Sequence, residues 1–326
     1  MKKSALSRIP ENVRKVLEDV REVSDQKGVA AWLVGGMVRD LILKRFSIDV
    51  DLVVEGPGVL FARTLAARWG ARCVAHQRFG TAVLQLPDGL RVDVVTARRE
   101  TYARPGALPD VIFGQISDDL FRRDFTINAI ACSLASEDFG LIRDDFDGVS
   151  DLKKRILRVM HYRSFVDDPT RILRAVRYEK RFDLKMEDRT LAALKSACHE
   201  DAFRTITPVR YFHEFVRILE EEDPLPALRR LRSVEGLRYF SLDAHAEKMI
   251  AKIVMFQKEK GIAIRSNAWI LRISALLACL PQDRIDHLLK IFQVARADRR
   301  EIDKFLHFLS VPDMLPRLQG LFGEAS

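Results

Sequence analysis

Hydrophobic residues recur at helical spacing near the start of the chain. Val13, Val16, Leu17, Val20 and Val23 form one stripe and predict a helix over residues 10–27. Ala30 to Val34 is a short apolar run stopped by Gly35-Gly36, which reads as a strand and a turn. Met37 to Arg45 then returns to helical spacing. From Ile48 to Val54 the period becomes two, with Val50, Leu52 and Val54 on one face and Asp49, Asp51 and Val53 on the other. EGPG at 55–58 is a turn and Val59–Trp69 is helical. Arg72–His76, Gly80–Leu86 and Gly89–Thr96 predict strands, the last two joined by a PDG hairpin turn.

Past about residue 150 strand signals nearly vanish. Helical spacing recurs over 168–182, 187–198, 208–221, 224–234, 243–259, 266–279, 281–293 and 296–309. Pro208, Pro224 and Pro281 stand where new helices start. The pattern predicts an α/β head followed by an all-helical remainder.

Composition narrows the class. Of 326 residues, 48% are hydrophobic and 31% charged, which excludes a disordered chain and allows two or three packed units. The net charge of +8 suits a polyanionic partner, although a merely basic surface would give the same balance. Cys73, Cys132, Cys198 and Cys279 make no CxxC pair and have no His at ligand spacing. They imply neither a zinc site nor a disulfide framework, and they fit a reducing cytoplasm. The opening lacks the continuous apolar core of a signal peptide. The stretch AWILRISALLACL is broken by Arg272 and is too short to span a bilayer, so no membrane partner is expected.

The candidate chemistry lies in LVGGMVRDLILKRFSIDVDLVV, residues 33–54. Asp49 and Asp51 leave the strand on the same side, and burying two like charges together is costly unless a cation sits between them. Such a pair, completed by Asp93 from the apolar strand LRVDVV, suits Mg2+ and phosphoryl or nucleotidyl transfer. The competing reading is a solvated sheet face. Gly35 and Gly36 let backbone N–H groups approach a triphosphate, or else simply turn the chain. Arg39 and Asp40 read equally as a phosphate ligand with its buried partner or as a local structural pair.

These residues resemble a known family. LVGGMVRDLIL followed by DVDLVVEG is similar to the head motif of class II tRNA nucleotidyltransferases and bacterial poly(A) polymerases, within the polymerase-β-like nucleotidyltransferase superfamily. RRDFTINAIA (122–131), FDGVSDLKKRILR (146–158) and DDPTRILRAVRY (167–178) resemble its later signatures, in order. The resemblance implies an α+β fold: a nucleotidyltransferase head with a mixed sheet over residues 1–149, a helical neck over 150–205 and a helical body over 206–326. It implies that Asp49 and Asp51 bind the metals, two Mg2+ with Mn2+ as substitute, and that Asp93 completes the catalytic carboxylates. Gly35 and Gly36 would face the triphosphate, and Arg39 and Asp40 match the motif. Arg122, Arg123, Asp124 and Asn128 would shape the nucleotide pocket. Asp168 and Arg171, three apart on a helix, would read the incoming base. An Asp accepts from the amino group of cytosine or adenine, and an Arg donates to ring nitrogens or a carbonyl. Arg174 and Arg177 continue that face, either supporting it or meeting RNA; the bland alternative is a solvated basic stripe. The family often has Glu-Asp where this chain has Asp167-Asp168.

The expected substrates are the tRNA 3′ acceptor end and ATP or CTP, with pyrophosphate released. The body is rich in basic residues, Arg204, Arg210, Arg217, Arg229, Arg230, Arg232 and Arg238 among them, a surface that suits folded RNA or is ordinary helix exterior. Within the family, stretches such as HQRFGTAVL and PVRYFHEFVRILEEEDPLPAL are most like the A-adding branch, which favours terminal A addition and a companion enzyme for the other nucleotides. CC addition, full CCA addition and poly(A) synthesis are the alternatives. The segment Tyr102–Asp118 reads as a loop that separates C from A addition. Outside this class, a non-catalytic RNA-binding protein would have no use for the carboxylates. A small-molecule nucleotidyltransferase would have no use for the long basic body.

Overall fold

The computed structural model describes residues 9–45, 48–101, 103–107, 110–259 and 268–309. The chain divides into two compact units. One runs to Ser164 and takes in Lys185–Thr190; the other comprises Phe165–Leu184 and the chain from Leu191 onward.

The first unit opens with α1 (Glu11–Lys27), which buries the predicted stripe of valines and Leu17. Its sheet contains β1 (Ala30–Val34), β2 (Val50–Glu55), β3 (Arg72–His76), β4 (Thr81–Gln85) and β5 (Arg91–Thr96). A separate hairpin pairs β6 (Arg98–Thr101) with β7 (Asp110–Phe113), and β8 (Ala131–Ser133) and β9 (Ile142–Arg143) complete the main sheet. The order is β3-β4-β5-β2-β1-β8-β9. β2 and β5 run parallel while the remaining pairs are antiparallel, so the sheet is mixed, as the resemblance implies. Helices α2 (Gly36–Ile42), α3 (Gly58–Trp69), α4 (Ile116–Phe121) and α5 (Gly148–Lys154) accompany it. Val34, Val53, Ala97, Ile116, Leu120, Ala129 and Ala131 form a core cluster.

β2 lies between β1 and β5 and is covered on both faces. Val50, Leu52, Val53 and Val54 are all buried, so the two-faced alternation predicted for this strand gives way to near-complete burial. The predicted loop 102–118 is corrected more sharply. Val111, Ile112 and Phe113 pair with β6, and α4 begins at Ile116 behind a capping box of Gln115 and Asp118. Tyr102, Leu108 and Pro109 of that segment lie outside the described residues. β10 (Ile156–Leu157) adds a two-residue strand, paired in parallel with β11 (Lys185–Met186).

The second unit is helical. After the helical turn Ser164–Asp167 come α6 (Thr170–Arg181), α7 (Asp188–His199, which begins in the first unit), α8 (Pro208–Leu219), α9 (Leu225–Ser233) and α10 (Ala244–Glu259). They are followed by α11 (Ala268–Leu277), α12 (Gln282–Ile291) and α13 (Arg296–Leu309). The first two residues of the predicted helix 266–279 lie outside the described residues. Tyr211, Phe212 and Phe215 of α8 anchor an aromatic core. Phe212 stacks on Phe292 at 4.6 Å between ring centres, and Phe215 stacks on Phe240 at 4.5 Å. Pro208 occupies the first turn of α8, and Thr207 caps it by accepting from the Arg210 N–H.

Candidate active site

The parallel pairing of β2 with β5 sets Asp51 opposite Asp93. Asp49 is exposed and sits one residue ahead of β2, rather than within the strand as the alternation predicts. Asp51 is only partly exposed, and no donor among the described residues hydrogen-bonds its carboxylate. Burial pushes that carboxyl up to about 6. Arg123 pulls the other way, and the charges of Asp93 and Asp49 raise it further. Asp93 is turned toward Arg91, whose Nε and Nη2 donate to its two oxygens at 3.1 Å.

Among the described residues no three His, Cys, Asp or Glu side chains are already closed into a metal cluster. The donor chemistry nevertheless fits a hard divalent cation. Asp51 is largely buried, has no hydrogen-bond donor among the described residues and stands near two further carboxylates, so its negative charge is only partly offset by Arg123 and leaves room for a cation. Asp93 would have to leave Arg91 to join it.

Gly35 links β1 to α2 with φ +72° and ψ −135°, a conformation that L side chains rarely adopt. The space matters as much as the torsion. A Cβ on Gly35 would stand 3.0 Å from Arg123 Nη1 and 3.4 Å from Asp51 Oδ2. Gly35 therefore leaves room for both the guanidinium and the carboxylate beside the turn. At Gly36 a Cβ would make only ordinary contact, 3.6 Å from Arg39 Nη2.

Behind this turn lies a buried polar network. Arg39 Nε donates to Asp40 at 2.8 Å, and its Nη1 donates to Asn128 Oδ1 at 2.7 Å. Asn128 in turn donates to Asp124 at 2.9 Å. Of the two readings open for Arg39 and Asp40, the geometry brings forward the structural pair. Arg123 Nη1 donates to the Asn128 carbonyl at 3.2 Å, and its Nη2 donates to Asp119 Oδ2 at 3.1 Å. Its buried Nε has no partner among the described residues. Arg122 donates to Asp119 Oδ1 at 2.9 and 2.7 Å and to Glu100 at 3.1 Å. Arg122, Arg123, Asp124, Asn128, Arg39 and Asp40 thus converge.

Asp119 and Glu100 were absent from the expected set. Asp119 is fully buried and holds both arginines, one per carboxylate oxygen. Its signal was present in DDLFRRD: residues three and four apart share a helix face, so one carboxylate can serve two successive arginines. Glu100 reaches Arg122 from β6, and sequence spacing does not predict that contact.

In the second unit Asp168 precedes α6 rather than lying on it, which corrects the reading of Asp168 and Arg171 as two positions on one helix. Asp168 Oδ1 accepts from the Thr170 N–H at 3.1 Å, from the Thr170 hydroxyl at 2.7 Å and from Arg210 Nη2 at 3.0 Å. Arg171 is buried. Arg174 pairs with Glu214, and Arg177, also buried, pairs with Glu221, each at 3.7 Å. These two arginines are therefore no solvated stripe; they are tied to α8 and the residues just after it.

The matches to known proteins fall on this arrangement. Residues 31–158 match the Poly A polymerase head domain. The A-adding tRNA nucleotidyltransferase of Geobacter sulfurreducens is 36% identical over 282 residues, which is 84% of this chain and 32% of that protein. The A-adding enzyme of Halalkalibacterium halodurans is 37% identical over 67% of this chain and 52% of its own length. The chain therefore spans between about a third and a half of these relatives. CC-adding and CCA-adding enzymes are similar as well. A crystal structure of a tRNA nucleotidyltransferase complexed with a primer tRNA and an incoming ATP analogue superposes with a TM-score of 0.76 at 31% identity. That match covers 92% of this chain and 86% of that one. With the head domain matched over residues 31–158 and a solved tRNA nucleotidyltransferase matched at 31% identity over 92% of this chain and 86% of its own, the chain belongs to the class II tRNA nucleotidyltransferase and poly(A) polymerase family.

Proposed function

We propose that this protein is a metal-dependent tRNA nucleotidyltransferase that adds the terminal A to a tRNA ending in CC. The observation that carries the reading is Asp51 standing opposite Asp93, with Gly35 between Asp51 and the Arg123 guanidinium. The A-adding enzymes are 36% and 37% identical over 84% and 67% of this chain, against 39% over 61% for a CC-adding one, and the longer matches support A as the nucleotide. In this reading residues 1–149 catalyse, 150–205 read the base and 206–326 hold RNA.

The RNA 3′-hydroxyl attacks the α-phosphate of ATP. The new phosphodiester forms as the α–β bridging bond breaks, and pyrophosphate leaves. Asp49 and Asp51, with Asp93 released from Arg91, would hold Mg2+, for which Mn2+ would substitute. When bound, the metal would supply charge neutralisation at the triphosphate and would acidify the attacking hydroxyl. Gly35 and Gly36 leave the backbone open to the phosphates. Arg123, fixed by Asp119, presents positive charge beside them. Arg122 is held back between Asp119 and Glu100 and shapes the pocket wall. Asp168 and Arg171 select the base, and the basic body suits the acceptor arm. A companion enzyme would add the preceding nucleotides. The setting would be cytoplasmic; among the described residues no helix is long and apolar enough to cross a membrane.

The test uses purified protein with Mg2+ and three tRNA transcripts, ending before CCA, after the first C, and after CC. ATP and CTP are supplied separately and together. One A added only to the CC-ended transcript is the expected result. C addition to the shorter ends moves the protein to CC or CCA addition, and long A tails make it a poly(A) polymerase. No incorporation anywhere leaves the non-catalytic RNA-binding reading.

A further inference from the structure

Arg210 reads in the sequence as one more positive charge on an RNA-facing surface. The structure turns it inward. Its Nη2 donates to Asp168 Oδ1 at 3.0 Å, and its own backbone N–H is committed to the cap of α8 at Thr207. The guanidinium thus issues from a pinned first turn, not from a mobile surface stem.

Three donors converge on one oxygen of Asp168: the Thr170 N–H, the Thr170 hydroxyl and Arg210. All go to Oδ1. Among the described residues nothing donates to Oδ2, and the side chain is 20% exposed. A carboxylate rotating about its last torsion would present either oxygen in either orientation. One held by three donors on one side presents a single acceptor in a fixed plane. An acceptor of that kind meets the exocyclic amino group of adenine or cytosine, and meets the carbonyl of guanine or uracil with repulsion.

We infer that Arg210, with Thr170, is a positioning residue for base selection: it locks Asp168 Oδ1 so that Oδ2 alone faces the incoming nucleobase. The inference deepens the nucleotidyl-transfer reading and rests on it.

The experiment compares Arg210→Ala, Arg210→Lys, Arg210→Gln, Thr170→Val and Asp168→Asn with the wild type on a CC-ended tRNA, using ATP, CTP and GTP. Arg210→Ala should lower kcat/KM for ATP about tenfold, mainly through KM, and narrow the ATP-to-GTP ratio while tRNA affinity holds. Arg210→Lys should restore most of that ratio, because a point charge suffices for one oxygen. Placed on Asp168→Asn, Arg210→Ala should add little, since both act through one carboxylate. An unchanged ratio with weakened tRNA binding, or full additivity with Asp168→Asn, overturns the inference. If the alanine variant does not fold, Arg210→Gln takes its place in the cycle. If the wild type transfers nothing, the transfer reading fails by itself. Equilibrium binding of ATP against GTP to the wild type and Arg210→Gln then decides the positioning claim, and equal preference in the two proteins overturns it.

Discussion

Asp51 and Asp93 face each other across the parallel register of β2 and β5, two like charges on neighbouring central strands. The metal-free protein bears the cost. Burial first, then the two neighbouring carboxylates, raise the Asp51 carboxyl from an ordinary 3.8 to about 6 against the pull of Arg123. The native state therefore binds more protons than the unfolded state between about pH 4 and 6. Stability falls as pH rises through that window, and the full penalty, ~2–3 kcal/mol, is present above it. Asp51→Asn removes the charge at constant shape. In EDTA, urea unfolding should find this variant more stable than the wild type by about 1–3 kcal/mol at pH 7.5 and equal to it at pH 4. Adding Mg2+ should close the gap from the wild-type side. Turnover should vanish in the variant, and a fully active Asp51→Asn would remove this residue from the metal site.

Gly35→Ala tests the close approach at the turn. The torsions of Gly35 cost an L residue about 1–3 kcal/mol, and the new methyl would press on Arg123 Nη1. Displacing that guanidinium should lower kcat/KM about a hundredfold. Gly36→Ala meets only ordinary contact and should fold with less strain. Chemical denaturation of both variants separates the two effects. Equal stability losses at 35 and 36 would mean that the Arg123 contact is not what requires glycine.

Asp119 holds the two arginines from below. Removing a fully buried carboxylate leaves two part-buried guanidinium groups without that counter-ion, a loss of about 2–3 kcal/mol. Arg122 retains Glu100, so Arg123 is the main casualty. Asp119→Ala should raise the ATP KM about as much as Arg123→Ala does, and the double variant should be little worse than either alone. Steady-state kinetics on the three proteins gives the answer, and additive losses would place Asp119 outside this path.

The candidate active site is legible where chemistry and periodicity coincide. Asp51 on an apolar strand, Gly35 before a helix and the paired arginines of RRDF announce themselves because each residue type is costly or unusual in its place. What stayed hidden depends on contacts between distant segments. Glu100 reaches Arg122 across 22 residues, and Arg210 reaches Asp168 across 42. The β6–β7 hairpin was missed because Val111–Phe113 is too short to show alternation. β8 was missed because Ala131–Ser133 is buried on both faces and has no alternation to show. Spacing alone puts Asp168 on the helix, because it does not reveal that Pro169 is the cap and Thr170 the first helical residue.

Arg171 and Arg210 both bear on base choice in this reading, and lysine separates their duties. Arg210 makes its contact with Asp168 through one nitrogen to one oxygen, a geometry an ammonium can imitate. Arg171 is buried and would have to offer a planar fork to two acceptors on the base edge, which an ammonium cannot supply. Arg171→Ala should reduce discrimination between ATP and competing nucleotides about tenfold or more, with tRNA affinity little changed. Arg171→Lys should fail to restore it, while Arg210→Lys succeeds. Competition assays with mixed nucleotides on one CC-ended tRNA read both variants at once. If Arg171→Lys recovered wild-type choice, the charge and not the fork of Arg171 would be what the base meets.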